Sequence, residues 1–106
     1  MSKIDRALVF AALGDPVRLE LLGRAAGGGS ITALAAGLPI SRQAVTRHLR
    51  VLEQAELIEA QRTGREVQFV ACPARLTEAK DWLDEVARQW DQTLARLKTH
   101  IEGKRS

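Results

Sequence analysis

Between Ser41 and Arg50 the chain carries three arginines, Arg42, Arg47 and Arg50, and no acidic residue. At about 100° per residue, Gln43, Thr46, Arg47, Arg50 and Gln54 share one side of a helix, with Arg42 at its flank. Val45, Leu49 and Leu52 fall on the opposite side. Guanidinium, carboxamide and hydroxyl groups in such a row can hydrogen-bond base edges or phosphates, and the major groove of duplex DNA admits one helix. Ser41, at the helix start, brings backbone N–H groups suited to a phosphate. A solvated helix face has the same polar outline; the missing acids tilt the pattern towards DNA. Arg62 and Arg65 flank a glycine turn, where a hairpin tip can reach the adjacent backbone or minor groove. Glu59 and Glu66 lie close in sequence and are expected to offset part of that charge, which leaves an ordinary solubilising hairpin as the competing reading.

The one thiol, Cys72, directly precedes Pro73. A thiol at a helix N-terminus can have a depressed pKa and raised reactivity, so Cys72 is a candidate redox switch. No second cysteine exists to resolve an oxidised form, and the plainer alternative is an inert side chain at a strand end. His48 sits at the edge of the apolar face of its helix and is expected to pack or to touch phosphate rather than bind a metal.

The elements that must position these residues can be read from periodicity and stop signals. Ile4, Leu8, Ala11 and Ala12 have helical spacing, and Gly14 is expected to end that helix through its permissive backbone. Asp15-Pro16 reads as an N-cap followed by proline at the first helical position. Val17, Leu21, Leu22 and Ala25 give the second helix its stripe, and Gly27-Gly28-Gly29 ends it. Ser30 caps a short third helix with Ile31, Leu34 and Ala35 inward. Gly37-Leu38-Pro39-Ile40 breaks it, and Ser41 caps a fourth running to about Gln54. Two short helices joined by a tight turn outline a helix-turn-helix over 30–54. Residues 57–62 and 66–71 alternate partly with period two around Thr63-Gly64-Arg65 and predict a β-hairpin. After Pro73, Leu76, Ala79, Leu83, Val86, Trp90, Leu94, Leu97 and Ile101 recur at spacings of three and four, a near-heptad stripe on one long helix. The expected fold is mainly α with a small hairpin, in the order α-α-α-α-β-β-α.

Bulk properties narrow the classes. A chain of 106 residues is expected to form one domain, 1–106. Its formal charge of +3 is modest, and from Pro73 onward seven basic residues face six acidic ones, so only the local arginine cluster is informative. No apolar run can span a bilayer, and the start lacks a signal-peptide pattern, so a reducing, cytoplasmic setting without membrane partners is expected. With no phosphate-binding loop, no nucleophile–base pair and two histidines, an enzyme is the least favoured class. Trp82 and Trp90 are expected to be packing anchors rather than the lining of a ligand pocket.

Three segments in order give a family resemblance. Ala12-Leu13-Gly14-Asp15-Pro16-Val17-Arg18-Leu19-Glu20-Leu21-Leu22 resembles the opening signature of the ArsR-type (arsenic-repressor-type) transcriptional regulators. Ser41-Arg42-Gln43-Ala44-Val45-Thr46-Arg47-His48-Leu49-Arg50-Val51-Leu52 is similar to their recognition helix. Ala55-Glu56-Leu57-Ile58 and Arg62-Thr63-Gly64-Arg65 match the lead into the wing and its tip. The resemblance spans roughly residues 4–101 and implies a winged helix-turn-helix with wing 57–71. It implies a homodimer joined through the first and last helices (3–13 and 73–102), and repression at a near-palindromic operator relieved by an inducing signal.

The long apolar stripe points to self-association on its own account, since an exposed stripe is an interaction surface and two-fold pairing its commonest use. The expected interface is Ile4, Leu8, Leu83, Val86, Trp90, Leu94 and Leu97. Many members of the family sense metals, but the third helix here lacks the paired cysteines of one familiar site. Asp91, His100 and Glu102 match the other only in part, so the resemblance is to a branch without the usual ligands. No cofactor is expected, and no effector can be named. The runner-up is a winged-helix protein-interaction module, a class that loses the basic face kept here at Arg42, Arg47 and Arg50.

Overall fold

The computed structural model describes residues 1–104; Arg105 and Ser106, at the end of the expected domain, lie outside the described residues. The elements among them are α1 (Lys3–Leu13), α2 (Pro16–Ala25), α3 (Ile31–Ala35), α4 (Arg42–Gln54), β1 (Ile58–Thr63), β2 (Glu66–Ala71) and α5 (Pro73–Lys104). The first four helices each open on a side-chain oxygen that satisfies amides of the first turn. Ser2 and Asp5 form a reciprocal capping box, and Asp15 accepts from the amides of Val17 and Arg18 at 2.9 and 3.0 Å. Ser30 and Ser41 accept from Ala33 and Ala44 at 3.2 and 3.1 Å.

Gly14 does not act as expected: its φ is −80°, outside the left-handed region. α1 stops because Asp15 must be extended (φ −141°, ψ 130°) to cap α2, a conformation that Pro16 also imposes on the residue before it. The glycine triplet likewise does more than end α2. Gly29 and Phe69 exchange backbone hydrogen bonds of 3.1 and 2.7 Å, which adds a one-residue third strand to the hairpin.

Val9, Leu21, Val45, Leu49, Leu52, Leu57 and Ile58 are the large, fully buried side chains. Each removes apolar surface from water worth roughly 1.5–3 kcal/mol, and together they join α1, α2, α4 and β1. α4 leaves this core through a C-terminal motif in which Leu57 N–H bonds Leu52 O (3.0 Å) and Glu56 N–H bonds Glu53 O (2.9 Å). That pair of bonds places Glu56 at φ +60°, a position that favours glycine. Arg75 on α5 holds the Glu56 carboxylate, Nε to Oε2 at 2.6 Å, and so ties the end of α4 to the start of α5. The hairpin is antiparallel, from Ile58↔Ala71 to Thr63↔Glu66. Gly64, at φ +62°, opens its two-residue turn.

α5 leaves the rest of the molecule. It is 32 residues long, about 48 Å at 1.5 Å per residue. The radius of gyration is 19.4 Å, against about 13 Å for a 100-residue domain. Near its start Ala79 is buried, and Trp82 packs on Phe10 of α1 with ring centroids 5.5 Å apart while Arg6 stacks over it at 4.5 Å. From 87 to 103 every residue is exposed. Trp82 is thus the packing anchor expected, and Trp90, 69% exposed, is not one within this chain. On α1 the sequence pattern had merged two faces: Ala12 is in the core beside Val9, whereas Ile4, Leu8 and Ala11 point away from it.

Candidate nucleic-acid interface

α4 presents its two faces as its sequence demands. Val45, Leu49 and Leu52 are buried, and Arg42, Gln43, Arg47, Arg50 and Gln54 are exposed. A shallow concavity is lined by Arg42, Gln43, Thr46, Arg47 and Arg50. The Thr46 hydroxyl donates to the Arg42 carbonyl at 3.0 Å, so it offers a partner only lone pairs and a methyl group. Ser41 caps the helix through Ala44, which leaves the first-turn amides of Arg42 and Gln43 without an intrahelical acceptor. Anions are favoured at such an end by the helix dipole as well.

The wing completes the surface in part. A second cleft, lined by Ser30, Ile31, Arg42, Arg65, Glu66, Val67 and Gln68, brings the hairpin tip beside the start of α4. Arg65 is therefore on the α4 surface, with Glu66 next to it as expected. Arg62 is exposed on β1 but does not line that cleft. Glu59 does not temper the wing: its carboxylate faces Cys72, at the far end of the hairpin.

The arginines of this face differ from most of the others; Arg6, whose Nε is buried without a hydrogen-bond partner, instead stacks on Trp82. Arg42, Arg47, Arg50, Arg62 and Arg65 make no side-chain hydrogen bond or ion pair among the described residues. Elsewhere Arg24 bonds Glu20, Leu34 O and Ala36 O, and Arg75 pairs with Asp5, Glu56 and Glu78. Arg88 pairs with Glu85. Arg18, in the segment after Gly14, spans three partners: Nε to Ala12 O at 2.7 Å, Nη2 to Ala11 O at 3.2 Å and Nη1 to His48 Nδ1 at 3.2 Å. His48 is thus a packing residue engaged by α2, not a group aimed at phosphate. Sequence reasoning assigned no role to Arg18, Arg24 or Arg75, whose partners are backbone carbonyls or distant side chains. For Arg18 the signal was its place three residues after the Asp15 cap.

Cys72 contradicts the expectation of a depressed pKa. Burial pushes its thiol up, and so do the charge of Glu59 and the 3.7 Å hydrogen bond from Sγ to the Glu59 carboxylate. The charge of Glu56, which lines the same cavity, adds to the effect. Among the described residues no group of three or more His, Cys, Asp or Glu is arranged to hold a metal ion. Glu102 pairs instead with Lys98 at 4.0 Å.

Comparison with known proteins decides the family. A family model described as a helix-turn-helix domain matches residues 13–61. Transcriptional repressor SdpR of Bacillus subtilis (strain 168) is 31% identical over 88 residues, covering 81% of this chain and 97% of the repressor. The solved structure of an ArsR-like transcriptional regulator from Rhodococcus sp. RHA1 has 37% identity and a TM-score of 0.80, covering 91% of this chain and 92% of that one. The chain belongs to the ArsR family of transcriptional regulators. A further solved ArsR family regulator is 25% identical with a TM-score of 0.78, covering 86% of this chain and 95% of its own. The fold is the winged helix-turn-helix, and the ArsR-family protein is a DNA-binding transcriptional regulator. No helix among the described residues is long and apolar enough to cross a membrane.

Proposed function

We propose that this ArsR-family regulator is a homodimeric repressor that occupies a near-palindromic operator, with α4 in the major groove of each half-site. The observation that carries the reading is the set of unpaired arginines along α4 and the wing. Each keeps its full donor set for an outside acceptor, and nothing acidic within Ser41–Arg50 competes. In this reading Gln43, Thr46, Arg47 and Arg50 face base edges, and Arg42 and the amides above Ser41 take a phosphate. Arg65, with Arg62 behind it, follows the backbone towards the adjacent minor groove. SdpR is named a transcriptional repressor, which favours repression over activation.

The dimer reading rests on unpartnered apolar surface. Ile4, Leu8, Leu83, Trp90, Leu94 and Leu97 are each 48–75% exposed, and Val86 is half-buried beside them. Leu76, Leu83, Trp90, Leu94, Leu97 and Ile101 fall within an arc of about 60° on α5. Leu76 and Ile101, at 43% and 46% exposure, therefore join the expected interface. A two-fold copy covers such a stripe with itself. DNA as the target places the working protein in the cytoplasm.

Selection of duplexes from a randomised pool, with sedimentation of the protein alone, tests both parts. The expected results are two half-sites related by a dyad, about 34–36 Å apart between centres, and a dimer that Leu94→Glu converts to a folded monomer. Failure to enrich any duplex overturns the operator reading. A wild-type monomer at micromolar concentration overturns the dimer.

A further inference from the structure

We infer that Arg18 and His48 form a positioning joint that fixes the angle of the DNA-reading helix α4 against α1. The inference rests on the DNA-binding reading and adds to it a residue that never touches DNA. The fully buried side chains that α1 and α4 contribute to the core, Val9, Ala12, Val45, Leu49 and Leu52, are aliphatic, and such contacts have no directional preference. Arg18 supplies direction. Its planar fork presents donors in fixed geometry, and all three that bond here are committed: two to the carbonyls of Ala11 and Ala12, one to His48. Those carbonyls belong to the last turn of α1, where intrahelical donors run out; that of Ala11 also accepts from the Gly14 amide at 3.2 Å.

The same bond constrains His48. Arg18 has no acceptor, so the bond requires Nδ1 to accept through its lone pair, which leaves Nε2 to carry the ring proton. At about 100° per residue, His48 stands roughly 150° around α4 from the centre of the Gln43, Thr46, Arg47 and Arg50 face. It therefore orients that face from behind. Arg18 is itself fixed at its base, because its amide caps onto Asp15 at 3.0 Å. The joint thus links the helix carrying exposed Ile4 and Leu8 to the helix carrying the unpaired arginines. In a dimer formed through α1, that angle sets how far apart the two reading helices lie.

The test compares wild type with Arg18→Met, Arg18→Lys, His48→Leu and His48→Asn. Each is titrated with a duplex selected by the wild type and with a random duplex of equal length, and affinities are corrected for the folded fraction measured by circular dichroism. Ring ¹⁵N spectra of His48 are recorded in parallel. Arg18→Met, Arg18→Lys and His48→Leu are each expected to weaken selective binding about tenfold or more, a mismatch-sized loss, with random-duplex affinity and salt dependence unchanged. His48→Asn, whose Oδ1 replaces the acceptor, is expected to stay within about threefold of wild type on the same scale. The wild-type ring is expected as the Nε2–H form, with its Nδ1 signal shifted in Arg18→Met. Unchanged selective affinity in Arg18→Met and His48→Leu overturns the joint. So does a salt slope smaller by about one in Arg18→Met, which would make Arg18 a phosphate contact. A wild-type chain that selects no duplex overturns the functional part together with the DNA reading, and an Nδ1–H ring overturns the geometry independently of DNA.

Discussion

Arginine plays two opposite parts in this molecule. On the frame, Arg18, Arg24 and Arg75 sit in nets of carbonyls and carboxylates, each spanning elements distant in sequence. On the α4 and wing surface, Arg42, Arg47, Arg50, Arg62 and Arg65 have no partner among the described residues. An arginine satisfied inside the fold contributes to stability and has nothing left for a ligand. One without an internal partner contributes little to the fold and keeps its donors for phosphate or guanine. The same residue type therefore divides into structural and functional sets by its surroundings, and the two sets should fail differently when mutated.

The largest expected effect is on the exposed set. Replacing Arg47 and Arg50 together with Ala should weaken operator binding by about 1–3 kcal/mol for each arginine that reads a base, with the thermal midpoint unchanged. A fall in stability instead would dissolve the distinction. Next comes Arg24→Met, which strands the Leu34 and Ala36 carbonyls and should lower unfolding free energy in urea by about 1–3 kcal/mol. DNA affinity of the folded fraction should stay the same. Acid should erode the frame as well. Hydrogen bonds from the Arg18 amide, then the Val17 amide, hold the Asp15 carboxyl below its usual range against the opposing push of burial. A group depressed on folding stabilises above its unfolded pKa, near 4, and that stability is lost as pH falls through the lower folded value. Asp15→Asn should therefore flatten the acid limb of the urea midpoint against pH, and an unchanged limb would remove Asp15 from the account.

Two smaller effects sharpen the comparison. Glu56 combines the cost of a left-handed backbone with the gain of its bonds to Arg75. Glu56→Gly should be close to neutral at low salt and stabilising in molar salt, where the exposed ion pair is screened. Destabilisation that grows with salt would contradict this balance. The smallest effect is expected at Cys72. With its thiol pKa raised by burial and by Glu59, alkylation at pH 8 should be slower than for a free thiol, and faster in Glu59→Gln. Operator affinity should not respond to peroxide; a large response would restore the thiol switch that the sequence suggested.

The sequence was most legible where information is local. Caps at Asp15, Ser30 and Ser41, the polar face of α4 and the glycine turn of the hairpin are each set by a few neighbouring residues, and all appear in the structure, although Thr63, read as part of the turn, pairs with Glu66 at the end of β1. It was least legible where partners are distant. Arg18 reaches His48 across 30 residues, and Gly29 pairs with Phe69; neither spacing leaves a periodic trace. Periodicity also misled on α1, where Ala12 shares helical spacing with Leu8 yet belongs to the buried face. Cys72 was misjudged for a related reason. Its position before Pro73 suggested a helix dipole, but Glu59, whose carboxylate its thiol bonds, is 13 residues away in sequence.

Salt titration tests the central claim most directly: affinity of the purified protein for a selected duplex, measured across ionic strengths for wild type, Arg47→Ala and Arg65→Ala. The account predicts a steep linear fall of log affinity with log salt for the wild type. Each variant should have a slope smaller by about one for every phosphate contact removed, or an unchanged slope with lower affinity where the arginine reads a base. A wild-type slope near zero, or variants matching wild type in both slope and affinity, would contradict a DNA-binding role for the unpaired arginines.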